Sequence, residues 1–332
     1  MRNILIIILS FLLLSACRDD KQKDLFLSQT EIKVLRYDRL QFEATTLNSV
    51  TALQKMNIDF PQATKLLIED VVALGSVDDD KINDRLCEYY SDSSLVNLMF
   101  DVEEKYKDLS GLEAELTKSF RKLKQEIPSL VIPCFYSQIS ALNQSIVVGD
   151  SLLGISLDKY MGEDYPLYKK YYYSYQRKSM NPERIVPDCV CYYLYSQYPF
   201  PWERNHRTLL DIIMYRGKIS WIAEKVLGTD ELGSVSLGYE KEQLKWCKEN
   251  KKTFMEWMKN SGHISSTDPM LVRAYILPYP TNVFSDKNVP PAIGVWIGVQ
   301  CIDEYMKNNK DMTIEKLLET TDYIGIFNSL KR

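Results

Sequence analysis

The sequence predicts a mainly helical α+β fold in which a small antiparallel sheet lies between two helical regions. Residues from about 47 to 127 follow a helical period, and helical patterns return after about residue 165. Between them, short β-rich runs occupy residues 130–157. Because no repeat or Gly/Ser-rich linker divides the chain after its N-terminal segment, residues 31–332 are predicted to form a single globular domain.

The N-terminal segment has the layout of an export signal. Arg2 gives it a positive start, and Ile4–Leu14 is apolar apart from Ser10. This run is shorter than the ~20 helical residues that a bilayer core requires, so it fits a signal peptide instead. The run ends in Leu-Leu-Ser-Ala-Cys17, which resembles the lipobox of bacterial lipoproteins. The resemblance implies that residues 1–16 are removed and that Cys17 is lipidated; the alternative is an ordinary secretory signal with an incidental cysteine.

Residues 17–30 are predicted to form a lipidated, flexible tether. Its first part, Arg18–Asp24, is charged and contains no apolar residue, so it is expected to stay solvated. The acidic pair Asp19-Asp20 also resembles the surface-export signal of lipoproteins in the Bacteroidota. A position at the periplasmic face of a membrane and display on the cell surface therefore both stay open.

Charge and cysteine usage limit the classes of partner. The chain has 41 basic and 45 acidic residues, and loss of Arg2 with the signal leaves a net charge of −5. Nucleic-acid binding requires a basic field, so no nucleic-acid partner is predicted. Six cysteines accompany Cys17. An even number in an exported chain permits disulfides, but mostly buried free thiols are expected.

Local patterns place the first elements. Ile32–Leu40 alternates enough to predict a first strand. Ser110–Glu113 has the form of a capping box and would open an amphipathic helix. The apolar stripe of that helix consists of Leu112, Leu116, Phe120 and Leu123.

Short apolar runs then predict the sheet, and a second set of helices follows it. The runs are Leu130–Ile132, Phe135-Tyr136, Gln144–Val148 and Leu152–Leu157. Gly149-Asp150 forms a turn between the last two, and Pro133 is expected at an edge or a bulge. The later predicted helices span residues 165–175, 182–195, 207–227, 241–260, 294–308 and 313–320. In the apolar segment 294–298, two glycines four residues apart indicate close packing against a neighbouring helix.

The sequence contains no complete catalytic or metal-binding motif. His206 and His263 are too far apart for a local zinc motif, and neither a nucleophile elbow nor a phosphate-binding loop occurs. No metal and no cofactor are therefore predicted. Asp158 follows an apolar strand and precedes Tyr160, which makes this carboxylate a candidate for a binding site. Capping of the next turn is the alternative role for Asp158.

Several motifs occur together in an order that resembles a known family. They are Arg36–Arg39, Gly154–Gly162, Leu209–Asp211 with Tyr215–Lys218, Gly238-Tyr239 with Gln243–Cys247, and Ile293–Gly298 with Tyr305-Met306. With the lipobox and the chain length, these motifs resemble the GldB family of gliding-motility lipoproteins of the Bacteroidota. The resemblance implies a cell-envelope lipoprotein that supports gliding or the linked protein-secretion machinery.

The resemblance also implies a degenerate zinc-peptidase-like fold, in which the helix near residues 207–227 would carry the metal. Tyr215–Ile219 would occupy the place of a His-Glu-x-x-His motif. Zinc there needs two neutral imidazoles one turn apart and a carboxylate, whereas Arg216 and Lys218 would repel the cation. The cleft would then be reused for binding, and its candidate residues are Asp158, Tyr160, Tyr215, Arg216 and Lys218.

These observations favour a non-catalytic, lipid-anchored protein of the cell envelope, expected at the outer membrane. Its expected partners are the membrane, through the N-terminal lipid, and envelope proteins of the gliding or secretion apparatus. Two alternatives stay open: a zinc-peptidase-like, metal-dependent hydrolase and a glycan-binding surface lipoprotein. The frequent tyrosines and the five tryptophans would suit the second alternative, because such rings combine an apolar body with a polar group.

Overall fold

The computed structural model describes residues 31–45, 49–202, 207–229, 231–279 and 281–329. The predicted signal peptide, the tether and the lipidation site Cys17 lie outside these ranges, as does His206. Within them the mainly helical α+β fold is confirmed, with four short strands among the helices. Among the helices of the described residues, none combines the length and the apolar character that a membrane span requires.

The elements follow one another in this order. The first half contains β1 (Val34–Arg36), α1 (Tyr37–Glu43), α2 (Ser49–Asp59), α3 (Pro61–Lys65) with a π-helical continuation (Leu66–Val71), α4 (Ile82–Tyr90), α5 (Ser93–Lys105), α6 (Ser110–Glu126), β2 (Cys134–Gln138), β3 (Ile146–Val148) and β4 (Leu152–Ser156). The second half contains α7 (Pro166–Tyr171), α8 (Ser174–Arg177), α9 (Ile185–Gln197), α10 (Leu209–Leu227), α11 (Lys241–Asn260), α12 (Pro269–Ile276), α13 (Ile293–Asn308), α14 (Ile314–Glu319) and α15 (Tyr323–Ser329). Short 3-10 turns follow β4 (Leu157–Lys159), precede α9 (Pro182–Arg184) and precede α12 (His263–Ser265).

The sheet is mixed, not antiparallel as the sequence patterns predicted. Its strand order is β1-β2-β4-β3, and only the β3–β4 hairpin is antiparallel. β2 pairs in parallel with both β1 and β4. The two central strands are buried along almost their whole length, and helices α1 and α9 contact the sheet. Parallel strands buried on both faces are expected to read as continuous apolar runs, and β4 follows that pattern up to Ile155. β2 departs from it, because its last two residues are the buried polar Ser137 and Gln138.

The first strand is shorter than predicted, and helix α1 replaces its second half. Tyr37, Asp38 and Gln41 are buried on one side of α1. The Arg36 guanidinium lies 2.7 Å from the Asp38 carboxylate and 3.2 Å from that of Glu103 on α5. This network fixes the end of β1 against α5, so part of the family-like motif has a structural role.

The predicted capping box at the start of α6 does not form. The Asp108 carboxylate instead accepts the backbone N–H of Ser110, at 2.9 Å. Glu113 is therefore free to accept the backbone N–H of Val34 in β1, also at 2.9 Å. The predicted stripe does face the core, with Leu116, Phe120 and Leu123 fully buried.

The helix that the family resemblance singled out, α10, lies at the centre of the C-terminal half. Thr208 and Asp211 form a capping box at its start, and Gly228, in the left-handed conformation, ends it. It crosses α13 so closely that a Cβ atom on Gly298 would overlap the backbone of Ile213 and approach Gly217. The predicted role of the paired glycines of α13 in helix packing is confirmed.

Candidate functional site

A groove of about 1090 Å³ opens beside the first two turns of α10. Three segments of the chain form its walls. The first runs from the end of α9 to Trp202, the second is the start of α10, and the third is α12 together with the residues just before it. The lining residues are Tyr195, Phe200, Trp202, Arg207, Ile212, Tyr215, Arg216, Thr267, Pro269, Val272, Arg273 and Ile276. We call this site the arginine groove.

One wall of the arginine groove is aromatic and held in place by its own contacts. The Phe200 ring lies 5.1 Å from Tyr215 and 4.6 Å from Trp202, both edge to face. The Tyr215 hydroxyl donates to the carbonyl of Tyr198 at 2.9 Å. Trp202 remains 58% exposed, so an apolar ligand group would bury a large ring that is already positioned.

The other feature of the groove is positive charge. Arg207, Arg216 and Arg273 all line it, and no carboxylate is among the described lining residues. Arg216 donates to the carbonyl of Ile276 at 3.2 Å, and its guanidinium lies 6.0 Å from the centre of the Tyr195 ring. Guanidinium groups bind carboxylates and phosphates through paired hydrogen bonds. Aromatic rings beside three arginines therefore favour a ligand that carries both apolar and anionic groups.

Two of the five predicted site residues, Tyr215 and Arg216, line this groove. Lys218 is on the same helix but is buried. Residues two positions apart on a helix do not face the same side, and Lys218 points towards the end of α14. Its ammonium donates to the carbonyls of Leu318 and Thr320 at 2.9 and 3.0 Å, and burial lowers the pKa of Lys218 to about 8.

Asp158 is fully buried beneath the loop that joins β2 to β3. Its carboxylate accepts the backbone N–H groups of Ser140 and Leu142 at 2.9 and 2.7 Å. Ala141 and Leu142 have φ angles of 50° and 66°, a left-handed conformation that is strained for residues with a side chain. Burial raises the pKa of Asp158, while the two backbone N–H groups oppose that rise. The carboxylate thus holds a strained loop.

Tyr160 is also inside the protein and does not reach the groove. Its hydroxyl donates to the Asp188 carboxylate on α9 at 2.9 Å, and the Arg184 guanidinium lies 3.1 Å from the same carboxylate. Burial raises the pKa of Tyr160 well above its ordinary value. The five predicted residues therefore divide into a groove pair and three buried residues that hold neighbouring segments.

Only two of the twelve described residues that line the groove, Tyr215 and Arg216, were among the predicted site residues. Phe200, Trp202 and Arg273 lie in segments for which the sequence patterns predicted neither a helix nor a strand. Pro199 and Pro201 flank Phe200, so a signal existed: aromatic residues between prolines are typical of an exposed, rigid segment. Arg273 carried no such signal, because α12 reaches the groove only through the tertiary fold.

Tyr215–Ile219 does lie on a long helix that follows the sheet, as the family resemblance implied. Within the ranges that the structure describes, no group of three or more His, Cys, Asp or Glu side chains could hold a metal ion. His263, the one described histidine, has its Nδ1 2.8 Å from the Tyr275 hydroxyl.

Comparison with known proteins identifies a family. The family model described as gliding motility protein GldB matches residues 18–331, which is nearly the whole chain. No curated protein and no solved structure matches the chain significantly.

Proposed function

The chain belongs to the gliding motility protein GldB family, and from that membership we propose that it supports gliding, or the linked protein-secretion machinery, by binding a partner protein. It acts without catalysing a reaction, and acyl chains on Cys17 hold it at the outer membrane. Each buried methylene of such a chain contributes ~0.8 kcal/mol, so two or more chains anchor a protein stably. The folded part then reaches its partner from the membrane surface.

The observation that carries this proposal is the arginine groove. Its volume of about 1090 Å³ is slightly above the range of ~300–1,000 Å³ for small-molecule sites, and a short peptide segment would fill it. Carboxylates of such a segment would pair with Arg216 and Arg273, and its apolar residues would cover Trp202. A hydrogen-bonded contact to a charged group contributes ~1.5–3 kcal/mol, so the arginines would decide which segments bind.

A photo-crosslinking amino acid at position 202, in living cells, tests the proposal. Tyr171 provides a matched control position, since it is 60% exposed against 58% for Trp202. We expect position 202, and not position 171, to crosslink to an envelope protein of the gliding or secretion apparatus. Arg273→Glu should lower the crosslink yield about tenfold and impair spreading at an unchanged protein level. Normal spreading, secretion and crosslinking in that variant would refute the proposal.

The non-catalytic part of the proposal has its own test. Metal analysis and activity screening use the full chain purified from its native host. Stoichiometric zinc, or turnover of any substrate that a point change abolishes, would overturn it in favour of a metal-dependent hydrolase.

The exposed Trp202 ring beside Phe200 also supports a second candidate, glycan binding, because sugar rings pack against exposed aromatic faces. A neutral oligosaccharide would then compete with the crosslink at position 202. Its binding would be insensitive to Arg273→Glu, whereas an acidic peptide segment would lose affinity.

A further inference from the structure

A second pocket, of about 270 Å³, lies between α11 and the loop that precedes α13. Trp246, Asn250, Phe254 and Trp257 recur along α11 at helical spacing and form one wall. The loop supplies Phe284 and Asp286 to the opposite wall. The arginine groove is lined by other residues, so the two sites are distinct.

Aromatic rings surround this pocket at large angles to one another. The Phe254 and Phe284 ring centres are 5.5 Å apart, with an angle of 67° between the ring planes. Trp257 lies 5.9 Å from Phe284 at 72°, and Trp246 lies 5.8 Å from Phe254 at 77°. Both phenylalanines are buried, whereas Trp257 is 37% exposed, so the indole ring is at the mouth.

One carboxylate completes the pocket. Asp286 accepts the indole N–H of Trp246 at 3.0 Å and the backbone N–H of Asn288 at 2.8 Å. These two donors lower the pKa of Asp286, which keeps the carboxylate ionised at neutral pH. A carboxylate accepts about four hydrogen bonds, so acceptor capacity remains for a ligand. No Lys or Arg is among the described residues that line the pocket.

We propose that this pocket binds an alkylammonium group. Electron-rich ring faces attract a cation, tryptophan most strongly, and an ionised carboxylate adds a charged acceptor. The pocket volume suits a single side chain or headgroup rather than a folded partner. The lining favours the ammonium of a lysine side chain, because an ethanolamine headgroup also carries a phosphate and no basic residue is among the described residues that line the pocket. This pocket therefore prefers a cation, whereas the arginine groove prefers an anion.

Fluorine NMR of the full chain in a non-ionic detergent tests the proposal. Labelling with 5-fluorotryptophan gives one signal for each of the five tryptophans, and Trp→Phe variants assign them. The probes are n-butylammonium, which mimics a lysine side chain, and phosphoethanolamine. The neutral probe n-butanol has the same alkyl chain as butylammonium without its charge.

The expected result is a saturable shift of the Trp246 and Trp257 signals by an ammonium probe at millimolar concentration, with no comparable effect of n-butanol. Asp286→Asn keeps an oxygen for the Trp246 indole but removes the charge, and should weaken binding roughly tenfold. Trp257→Phe should weaken it less. Tyr171→Ala, which removes an exposed ring outside the pocket, should change nothing.

We expect n-butylammonium to bind more tightly than phosphoethanolamine; tighter binding of phosphoethanolamine would overturn the assignment to a lysine side chain in favour of a lipid headgroup. Equal shifts with n-butanol would overturn the proposal, because the pocket would then recognise apolar shape alone. Absence of a shift with both ammonium probes in the wild-type chain would also overturn it. If Asp286→Asn bound the ammonium probes as tightly as the wild type, the proposed role of the carboxylate would be refuted.

Discussion

The buried ammonium of Lys218 makes a specific prediction about stability against pH. Lys218 is 1% exposed and donates to the carbonyls of Leu318 and Thr320, and its Nζ lies 5.3 Å from the centre of the Tyr323 ring. Those carbonyls are at the C-terminal end of α14, where the helix dipole favours a cation. Burial nevertheless dominates and lowers the pKa of Lys218 from 10.5 to about 8.

The sign of the effect follows from these two pKa values. Between about pH 8 and 10.5 the unfolded chain holds the Lys218 proton more tightly than the folded chain does, so the free energy of unfolding rises with pH. The full difference corresponds to about 3 kcal/mol, at 1.36 kcal/mol for each pH unit. From pH 7 to pH 9.5 it gives a rise of about 2 kcal/mol.

Urea denaturation of the wild type and of Lys218→Met at pH 7 and 9.5 measures this rise. The methionine side chain has a similar length and does not titrate, so the free energy of unfolding of the variant should lack this rise. Burial raises the pKa of tyrosines such as Tyr37. At alkaline pH these tyrosines lower the free energy of unfolding, but they do so equally in both proteins. The comparison of the two proteins therefore isolates Lys218.

The control for this experiment is Lys245→Met. The Lys245 side chain is 74% exposed, so its removal should leave the pH dependence unchanged. The assigned effect of Lys218 is refuted if the difference in the free energy of unfolding between wild type and Lys218→Met is the same at both pH values. It is also refuted if Lys245→Met abolishes the rise as fully as Lys218→Met.

Three further changes have defined outcomes. Gly298→Ala should lower the free energy of unfolding by about 3 kcal/mol in urea titrations, because its Cβ would overlap the carbonyl oxygen of Ile213. Asp158→Asn should cost about 1–3 kcal/mol and speed hydrogen exchange of the Leu142 amide, since an amide side chain cannot accept two backbone donors as well as a carboxylate does. Cys17→Ser should move the chain from the membrane fraction to the soluble fraction; an unchanged fraction would contradict the predicted anchor.

Local sequence signals predicted the longer helices of the second half but missed the shorter α12 and α15, and they predicted the sheet less well. The predicted helix 241–260 has the bounds that α11 has in the structure, because an amphipathic period needs only neighbouring residues. The turn at Gly149 likewise encodes the antiparallel β3–β4 hairpin. The parallel pairing of Val34 with Phe135 joins segments about 100 residues apart, and no local pattern specifies its direction.

The ambiguity at β1 has a similar cause. Ile32–Leu40 fits an alternating pattern, yet Tyr37, Asp38 and Gln41 also fit one side of a helix. The strand ends where its partner β2 reaches Ser137 opposite Arg36. The structure thus resolves a choice that propensity alone leaves open.

The candidate site shows which inferences a motif supports. The family-like motif predicted Tyr215 and Arg216 as cleft residues, and both line the groove. The same motif also included Lys218, which is on another face of α10 and is buried. Helical spacing alone would have separated Arg216 from Lys218. For Asp158, a strand-end carboxylate beside aromatic residues fits a ligand site and a buried loop anchor equally, and only the tertiary contacts distinguish the two.

The difference between buried candidate residues and residues on the groove wall decides how their variants must be interpreted in cells. Asp158 and Lys218 are buried and hydrogen-bonded to the backbone, so replacing either one destabilises its neighbours and lowers the amount of folded protein. A spreading defect in such a variant is therefore uninformative about binding. Arg273 is exposed on the groove wall, so its reversal to glutamate changes the charge of the groove with little effect on folding. Only a defect at Arg273 with a normal protein level attributes the function to the arginine groove.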